Sequence, residues 1–142
     1  MKTNPKKFDW NSVGLDFGNW EEEKLWALVI PVSKLNISEL EWHLDIPFWE
    51  NDNAERYTVT PRDVLEKQEG TTKEQVGVKN ADTAYPIDIY FNKDKWLILD
   101  GLHRLVKLWK IGEKEVNVRI VTADTFPLIK SNEPIELPTW NG

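Results

Sequence analysis

One segment constrains the fold of this chain more than any other. Residues Trp96 to Thr122 read WLILDGLHRLVKLWKIGEKEVNVRIVT. A short apolar run passes through Asp100-Gly101 into a helix with one apolar face, and the helix pattern stops at Gly112. The alternating residues Glu115 to Val121 then predict a strand with one buried face. This order predicts a fold of the α/β (α+β) class.

The turn before that helix is the candidate ligand site. Backbone N–H groups at a helix N-terminus carry a partial positive charge and lack partners within the helix, so anions bind there. Gly101 permits close approach of the backbone, and Arg104 adds a planar fork of donors suited to phosphate. We therefore expect Gly101, Leu102, His103 and Arg104, with Lys107 one turn later, to bind a phosphate group.

Each of these residues also has a structural interpretation. Asp100 is either the N-cap of the helix, or a Mg²⁺ ligand or general base beside the phosphate. His103 is either structural or a proton donor in catalysis. Arg104 either contacts a ligand or is a surface arginine paired with a nearby carboxylate, and Lys107 either reaches a phosphate or is solvated. Gly101 serves a ligand turn or merely a tight turn. The sequence leaves these alternatives open.

A second polar cluster surrounds Trp42 and consists of Glu39, Glu41, His43 and Asp45. Acids and a histidine this close together are suited to acid–base chemistry or to a metal, whereas a solvated face is the structural alternative. Glu41 and Asp45 are the candidates for a second catalytic acid, alongside Asp100 and His103.

The composition limits the partners. The formal net charge is −6, whereas non-specific nucleic-acid binding needs a basic surface, so we expect no sequence-specific DNA binding. The absence of cysteine excludes disulfides, cysteine-based zinc sites and thiol chemistry. The chain has no signal-peptide pattern and no apolar run long enough to span a bilayer. We expect a cytoplasmic protein without membrane contact.

The remaining pattern predicts one domain with an arm. Residues 1–22 are expected to form an N-terminal arm, and residues 23–142 a domain with an irregular C-terminal tail. The strand from Glu115 to Val121 is expected to be exposed or at an edge. The other expected elements are a strand over Leu25 to Val32, a helix capped by Ser38, a helix from Thr60 to Glu69, a helix from Thr71 or Thr72 to Val78, and a hairpin of Tyr85 to Phe91 with Trp96 to Leu99.

Three segments resemble the ParB/sulfiredoxin-like superfamily. ILDGLHRLVKLWKIG with its Val-rich strand resembles the family's phosphate turn, ADTAYPIDIYFN its proline-led strand, and LVIPVSKL its opening strand. The resemblance covers roughly Leu25 to Val121. It implies a bacterial or phage protein with a compact domain, a small mixed sheet and flanking helices. It also implies that the Gly-x-x-Arg turn grips the phosphates of a nucleotide.

Departures from the family patterns narrow what the resemblance implies. Sulfiredoxins need a cysteine before the His-Arg pair, where this chain has Leu102, so sulfinic-acid repair is excluded. Chromosome-partition ParB proteins bind CTP through a Gly-Glu-Arg-Arg turn and carry a helix-turn-helix domain downstream, so DNA partition is not expected. Free-serine kinases of the superfamily carry Asp-Gly-His-Thr-Arg. Asp100, Gly101 and Arg104 match that pattern, and His103 is displaced by one position.

Three functions stay open. The first is a Mg²⁺-dependent nucleotide hydrolase or small-molecule phosphotransferase that uses a nucleoside phosphate. The second is a non-catalytic nucleotide-sensing or protein-interaction module. The third is a nuclease-like protein that processes nucleic acid, which the acidic charge disfavours. In the first two the partner is a nucleotide or another phosphorylated small molecule, and Trp49 or Trp140 could stack on a base.

Overall fold

The computed structural model describes residues 20–131. The α-helices within them are α1 (Glu22–Trp26), α2 (Pro61–Leu65), α3 (Thr72–Asn80) and α4 (Leu102–Lys110). The strands are β1 (Val32–Asn36), β2 (Ile87–Asn92), β3 (Lys95–Asp100) and β4 (Glu115–Val121). Two 3₁₀ helices span Ile37–Asp45 and Phe126–Leu128.

The four strands form one mixed sheet in the order β1-β4-β2-β3. β4 pairs antiparallel with β1 and parallel with β2, while β2 and β3 form an antiparallel hairpin. The hairpin turns through Lys93 and Asp94, whose φ values of 49° and 63° are the left-handed conformation that two-residue hairpin turns favour. This mixed sheet with its helices confirms the predicted α/β (α+β) class.

Both faces of the sheet are covered. Ile87, Ile89 and Ile98 belong to one apolar cluster with α4, α2, α3 and the first 3₁₀ helix. Leu97 and Leu99 belong to a second cluster with α1 and the segment around the second 3₁₀ helix. Because successive side chains of a strand point to opposite faces, β3 contributes to both clusters. The site described below lies at the end of this strand.

Local signals place several boundaries where the sequence predicts them. The Thr60 hydroxyl accepts a hydrogen bond from the Asp63 N–H, and the Asp63 carboxylate accepts one from the Thr60 N–H, each at 3.0 Å. This capping box starts α2, which ends at Leu65 rather than at the predicted Glu69. The α4 helix is bounded by Gly101 and Gly112, both at positive φ. The strand bounds predicted for β4 are confirmed.

The predicted strand over Leu25 to Val32 is wrong. Its first part is the end of α1, and β1 begins only at Val32. The run is not evenly buried, since Leu25 is 0% exposed and Val29 is 99% exposed. The acids in the first turn of α1 favour a helix there, and Pro31 lacks the N–H of a strand ladder.

The prediction of an exposed or edge position for β4 is also wrong. It lies between β1 and β2, and Val116, Val118 and Val121 are buried. The helix predicted at Ser38 is a 3₁₀ helix whose N-cap is Asn36, because the Asn36 side chain accepts the Ser38 N–H.

The described chain begins at Trp20, which already belongs to the folded domain. The Trp20 indole N–H donates to the Leu99 carbonyl at 3.1 Å, and the Glu21 N–H donates to Ile129 O at 2.8 Å. Most of the predicted arm, and Trp140 in the predicted tail, lie outside the described residues. No helix within residues 20–131 has the length and apolar character needed to cross a membrane.

Candidate functional site

The candidate site forms where β3 meets α4. The strand ends at Asp100, and Gly101 is the N-cap of α4 with a φ of 115°. That left-handed φ favours glycine, and a Cβ at Gly101 would lie 3.2 Å from Cγ1 of Ile87. The backbone conformation and this packing require glycine whether or not a ligand binds.

A cleft of about 710 Å³ opens in front of the N-terminus of α4. Residues 100–104 line it, and four aromatic side chains also line it: Trp20, Phe48, Trp49 and Tyr57. Because Gly101 has no side chain to cap the helix, the first N–H groups of α4 lack the partner that an N-cap side chain supplies. The volume lies in the range of small-molecule sites, roughly 300–1,000 Å³.

Asp100 pairs with Arg104 instead of capping the helix. Its Oδ2 accepts hydrogen bonds from Trp26 Nε1 at 2.8 Å and from Arg104 Nη2 at 3.0 Å. Arg104 also donates to the carbonyl of Pro86. The pair accounts for a cation in the first turn of α4, where the macrodipole disfavours one. Both residues still line the cleft.

A second Asp–Arg pair, absent from the predicted site, lies beside the first. Asp88 faces Asp100 in the β2–β3 ladder, and Arg119 Nε donates to Asp88 Oδ1 at 2.6 Å. Arg119 also donates to the carbonyls of Leu28 at 2.8 Å and Leu25 at 3.0 Å. Burial raises the pKa of Asp88, and the hydrogen bond from Arg119 opposes that shift. In the sequence, Asp88 stands between Ile87 and Ile89. Because an acid that is buried in a strand is nearly always paired, this pattern could have indicated the pair.

The two pairs line a second cavity of about 510 Å³. Arg119 ties β4 to the end of α1, so its pair with Asp88 is explained by the fold alone. Asp100 and Arg104 line both cavities, whereas Asp88 and Arg119 line only the second.

His103 is held at the cleft by three neighbours. Its Nε2 lies 2.8 Å from Oε1 of Glu74 in α3. Its ring stacks on the Trp49 indole with centroids 4.5 Å apart and an interplanar angle of 14°. Gly77 packs so closely that a Cβ there would lie 2.8 Å from His103 Nε2. Sequence reasoning missed Glu74, which is 29 positions from His103 and has no distinguishing local pattern.

His43, in the second polar cluster of the sequence, is buried and serves the sheet. Its Nδ1 lies 2.9 Å from the Leu40 carbonyl, and its Nε2 accepts the Ile98 N–H at 3.0 Å. Burial lowers the pKa of His43 from 6.5 to about 3, so the ring is neutral near pH 7. Trp42 donates its indole N–H to Trp96 O at 3.1 Å. The two side chains cover the outer edge of β3.

The remaining predicted site residues lie away from the cleft. Glu41 is exposed, and Asp45 accepts two hydrogen bonds from Arg62 at 2.7 and 3.2 Å, which lower its pKa. Lys107 donates from Nζ to two carbonyls at the C-terminal end of α3, each at 2.8 Å. The structure therefore does not bring Glu41 or Asp45 to Asp100, or Lys107 to the turn at Gly101 that was predicted to bind phosphate.

The predicted Mg²⁺ contact rests on Asp100 alone. Within residues 20–131 no three His, Asp or Glu side chains are grouped so that they could hold a metal ion. One oxygen of Asp100 already accepts two N–H groups. The described residues thus do not form a metal cage made of protein ligands only.

No protein-family model, curated protein or solved structure matches this chain. The resemblance to the ParB/sulfiredoxin-like superfamily accordingly stays a prediction. The geometry itself combines a helix N-terminus, an aromatic wall and a Glu–His pair around one cleft. Such a cleft is suited to a small anion that carries a flat apolar group.

Proposed function

We propose that the cleft binds a nucleotide or a closely similar phosphorylated small molecule. The observation that carries this proposal is the placement of the α4 N-terminus and four aromatic side chains around one volume of about 710 Å³. The phosphates lie against Gly101 to Arg104, and the base lies against the aromatic wall.

The phosphate end of the ligand is bound by backbone and side-chain donors together. The N–H groups of the first turn of α4 and the helix dipole favour an anion in front of Gly101. Arg104 has five N–H donors and uses two of its nitrogens for Asp100 and Pro86, so donors remain for a phosphate oxygen. A charge-assisted hydrogen bond of this kind contributes about 1.5–3 kcal/mol.

The base end of the ligand is bound by stacking. Phe48 and Tyr57 line the same cleft as the α4 turn, and Trp49 backs His103. Stacking of a base on an aromatic side chain contributes about 1–3 kcal/mol and discriminates little between bases. Nucleotides with any of the four bases are therefore expected to bind.

Magnesium enters the proposal only as an ion carried with the nucleotide. Mg²⁺ commonly uses one or two carboxylates and completes its shell with phosphate oxygens and water. Glu22 and Asp100 both line the cleft, and Asp100, which directly precedes the turn at Gly101, is the carboxylate that would contact it. The ion would supply charge neutralisation between Asp100 and the phosphates.

The test is calorimetry with ATP, GTP, CTP and UTP, each with Mg²⁺ and with EDTA, on wild type and two lysine variants. Arg104→Lys keeps a cation beside Asp100 but loses the planar fork, and should weaken binding about tenfold. Arg62→Lys is the matched control, because Arg62 also pairs with an aspartate but lies outside the cleft lining.

Two results would contradict the proposal. One is the absence of binding for all four nucleotides and for inorganic pyrophosphate at millimolar concentration. The other is equal loss of affinity in Arg104→Lys and Arg62→Lys, which would show that the loss does not depend on a contact in the cleft.

A further inference from the structure

The Glu74–His103 pair has the geometry of a positioned proton acceptor, and this inference rests on the proposed nucleotide site. The side chain of Glu74 is 12% exposed, and that of His103 is 39% exposed. The carboxylate is therefore largely withdrawn from water, while the imidazole is partly exposed and lines the cleft. This arrangement differs from a surface ion pair, in which both groups face water.

Three contacts restrict the orientation of the imidazole. The Trp49 indole covers one ring face, and Glu74 engages Nε2. The backbone of Gly77 occupies the space beside the same nitrogen, because a Cβ there would lie 2.8 Å from it. A ring bounded in this way keeps few rotamers, which is what a group that transfers protons along one direction requires.

The hydrogen bond to Glu74 also selects the tautomer. A carboxylate accepts, so Nε2 must carry the hydrogen that it donates to Oε1 of Glu74. The lone pair of the neutral ring then lies on Nδ1. Within residues 20–131 no hydrogen bond engages Nδ1 of His103, in contrast to His43, whose two nitrogens are both occupied.

We propose that His103 is a catalytic residue that accepts a proton at Nδ1, and that Glu74 is its positioning residue. The reaction class is transfer of the terminal phosphoryl group of a nucleoside triphosphate to the oxygen of water or of a small hydroxyl compound. Both the proton acceptor and the phosphate-binding turn line the same cleft.

The step balances without a further reactant. The O–H proton of the acceptor moves to His103 Nδ1 as its oxygen forms a bond to the terminal phosphorus. The bond from that phosphorus to the bridging oxygen breaks, and the electron pair leaves with the nucleoside diphosphate. The carboxylate of Glu74 stabilises the positive imidazolium, which afterwards returns its proton to solvent.

The experiment measures formation of the nucleoside diphosphate from ATP, GTP, CTP and UTP with Mg²⁺, first in water and then with glycerol added as a hydroxyl acceptor. Glu74→Gln should lower kcat about 10–100-fold and leave KM and the calorimetric affinity unchanged. Glu69→Gln removes the same charge from an exposed position and should behave as wild type. Nitrogen-15 NMR of the imidazoles gives a second readout, with His103 in the Nε2–H tautomer in wild type and not in Glu74→Gln.

The outcomes separate this inference from the proposed function. Nucleotide binding without formation of the nucleoside diphosphate in any mixture overturns the inference and leaves the binding site intact. Unchanged kcat in Glu74→Gln, or an Nδ1–H tautomer of His103 in wild type, overturns the role of Glu74. Absence of nucleotide binding overturns both proposals together.

Discussion

The surroundings of the two histidines differ: those of His43 indicate a structural role, and those of His103 agree with the proposed chemical one. Each ring packs against a tryptophan: His43 lies 3.8 Å from Trp42 and His103 lies 4.5 Å from Trp49, between ring centroids. Both ring nitrogens of His43 form hydrogen bonds to backbone atoms, and the residue is 1% exposed. One ring nitrogen of His103 forms a hydrogen bond to the carboxylate of Glu74, and the residue lines the cleft.

The atoms that a histidine's two ring nitrogens contact, rather than its neighbours in sequence, indicate its role. Backbone partners on both nitrogens fix a neutral ring as part of the fold, here as the cover of the β3 edge. A carboxylate partner on one nitrogen fixes the tautomer and leaves the other nitrogen for a ligand.

Alanine substitution should destabilise the protein much more at His43 than at His103. His43→Ala removes a buried ring and leaves the Ile98 N–H without its acceptor, so the free energy of unfolding should fall by about 3–4 kcal/mol. His103→Ala loses one stacked contact and one partly exposed hydrogen bond to Glu74, and should cost about 1 kcal/mol. Urea denaturation of both variants measures the difference. Equal losses of unfolding free energy in the two variants would contradict a purely structural role for His43 and a different role for His103.

The pH dependence of stability should report His43. Because burial lowers the pKa of His43 from 6.5 to about 3, the unfolded chain binds more protons than the folded chain between these values. Stability is therefore fully present above pH 6.5 and is lost as pH falls toward 3. From about pH 7 to about pH 5 the linked loss amounts to about 2 kcal/mol.

A variant isolates this contribution from other titrating groups. Asp45, whose pKa Arg62 lowers, adds a slope of the same sign below about pH 4, and Asp88, whose pKa burial raises, opposes it. His43→Gln keeps an amide that can serve both backbone partners and should flatten the curve between about pH 7 and pH 5. An unchanged slope in this variant would show that His43 titrates normally in the folded protein.

The smallest effect on stability is expected at Gly77, where stability and the site should respond differently. Alanine is favoured over glycine inside a helix by about 0.5–1 kcal/mol, but its Cβ would displace the His103 ring. The unfolding free energy of Gly77→Ala should stay within about 1 kcal/mol of wild type, whereas the Nε2–H tautomer signal of His103 should be lost. Denaturation and imidazole NMR together measure this.

Gly112→Ala provides the matched control for Gly77→Ala. Gly112 has a φ of 86°, and a Cβ there would meet nothing within 4 Å. Alanine should therefore cost about 1 kcal/mol through the left-handed backbone and leave His103 unchanged. A normal His103 signal in Gly77→Ala would contradict the clamped geometry on which the catalytic proposal depends.

Short-range sequence signals determined where several helices and strands begin and end. Thr60 and Asp63 start α2 through a capping box, Gly101 and Gly112 bound α4, and the β4 alternation marks its strand. Each signal acts between residues a few positions apart, so the backbone groups that it satisfies are near neighbours in any fold. The same locality places Gly101 to Arg104 together in the first turn of α4.

The packing of distant elements determined which side chains pair with one another in and around the cleft. Glu74 reaches His103 across 29 positions, and Arg119 reaches Asp88 across 31. These pairs depend on how α3 packs on α4 and on the parallel pairing of β4 with β2. Packing of this kind is set by apolar surfaces contributed by the whole chain. For that reason the sequence pattern indicates the turn of the candidate site, whereas the pairing of Glu74 with His103 follows only when distant elements pack together.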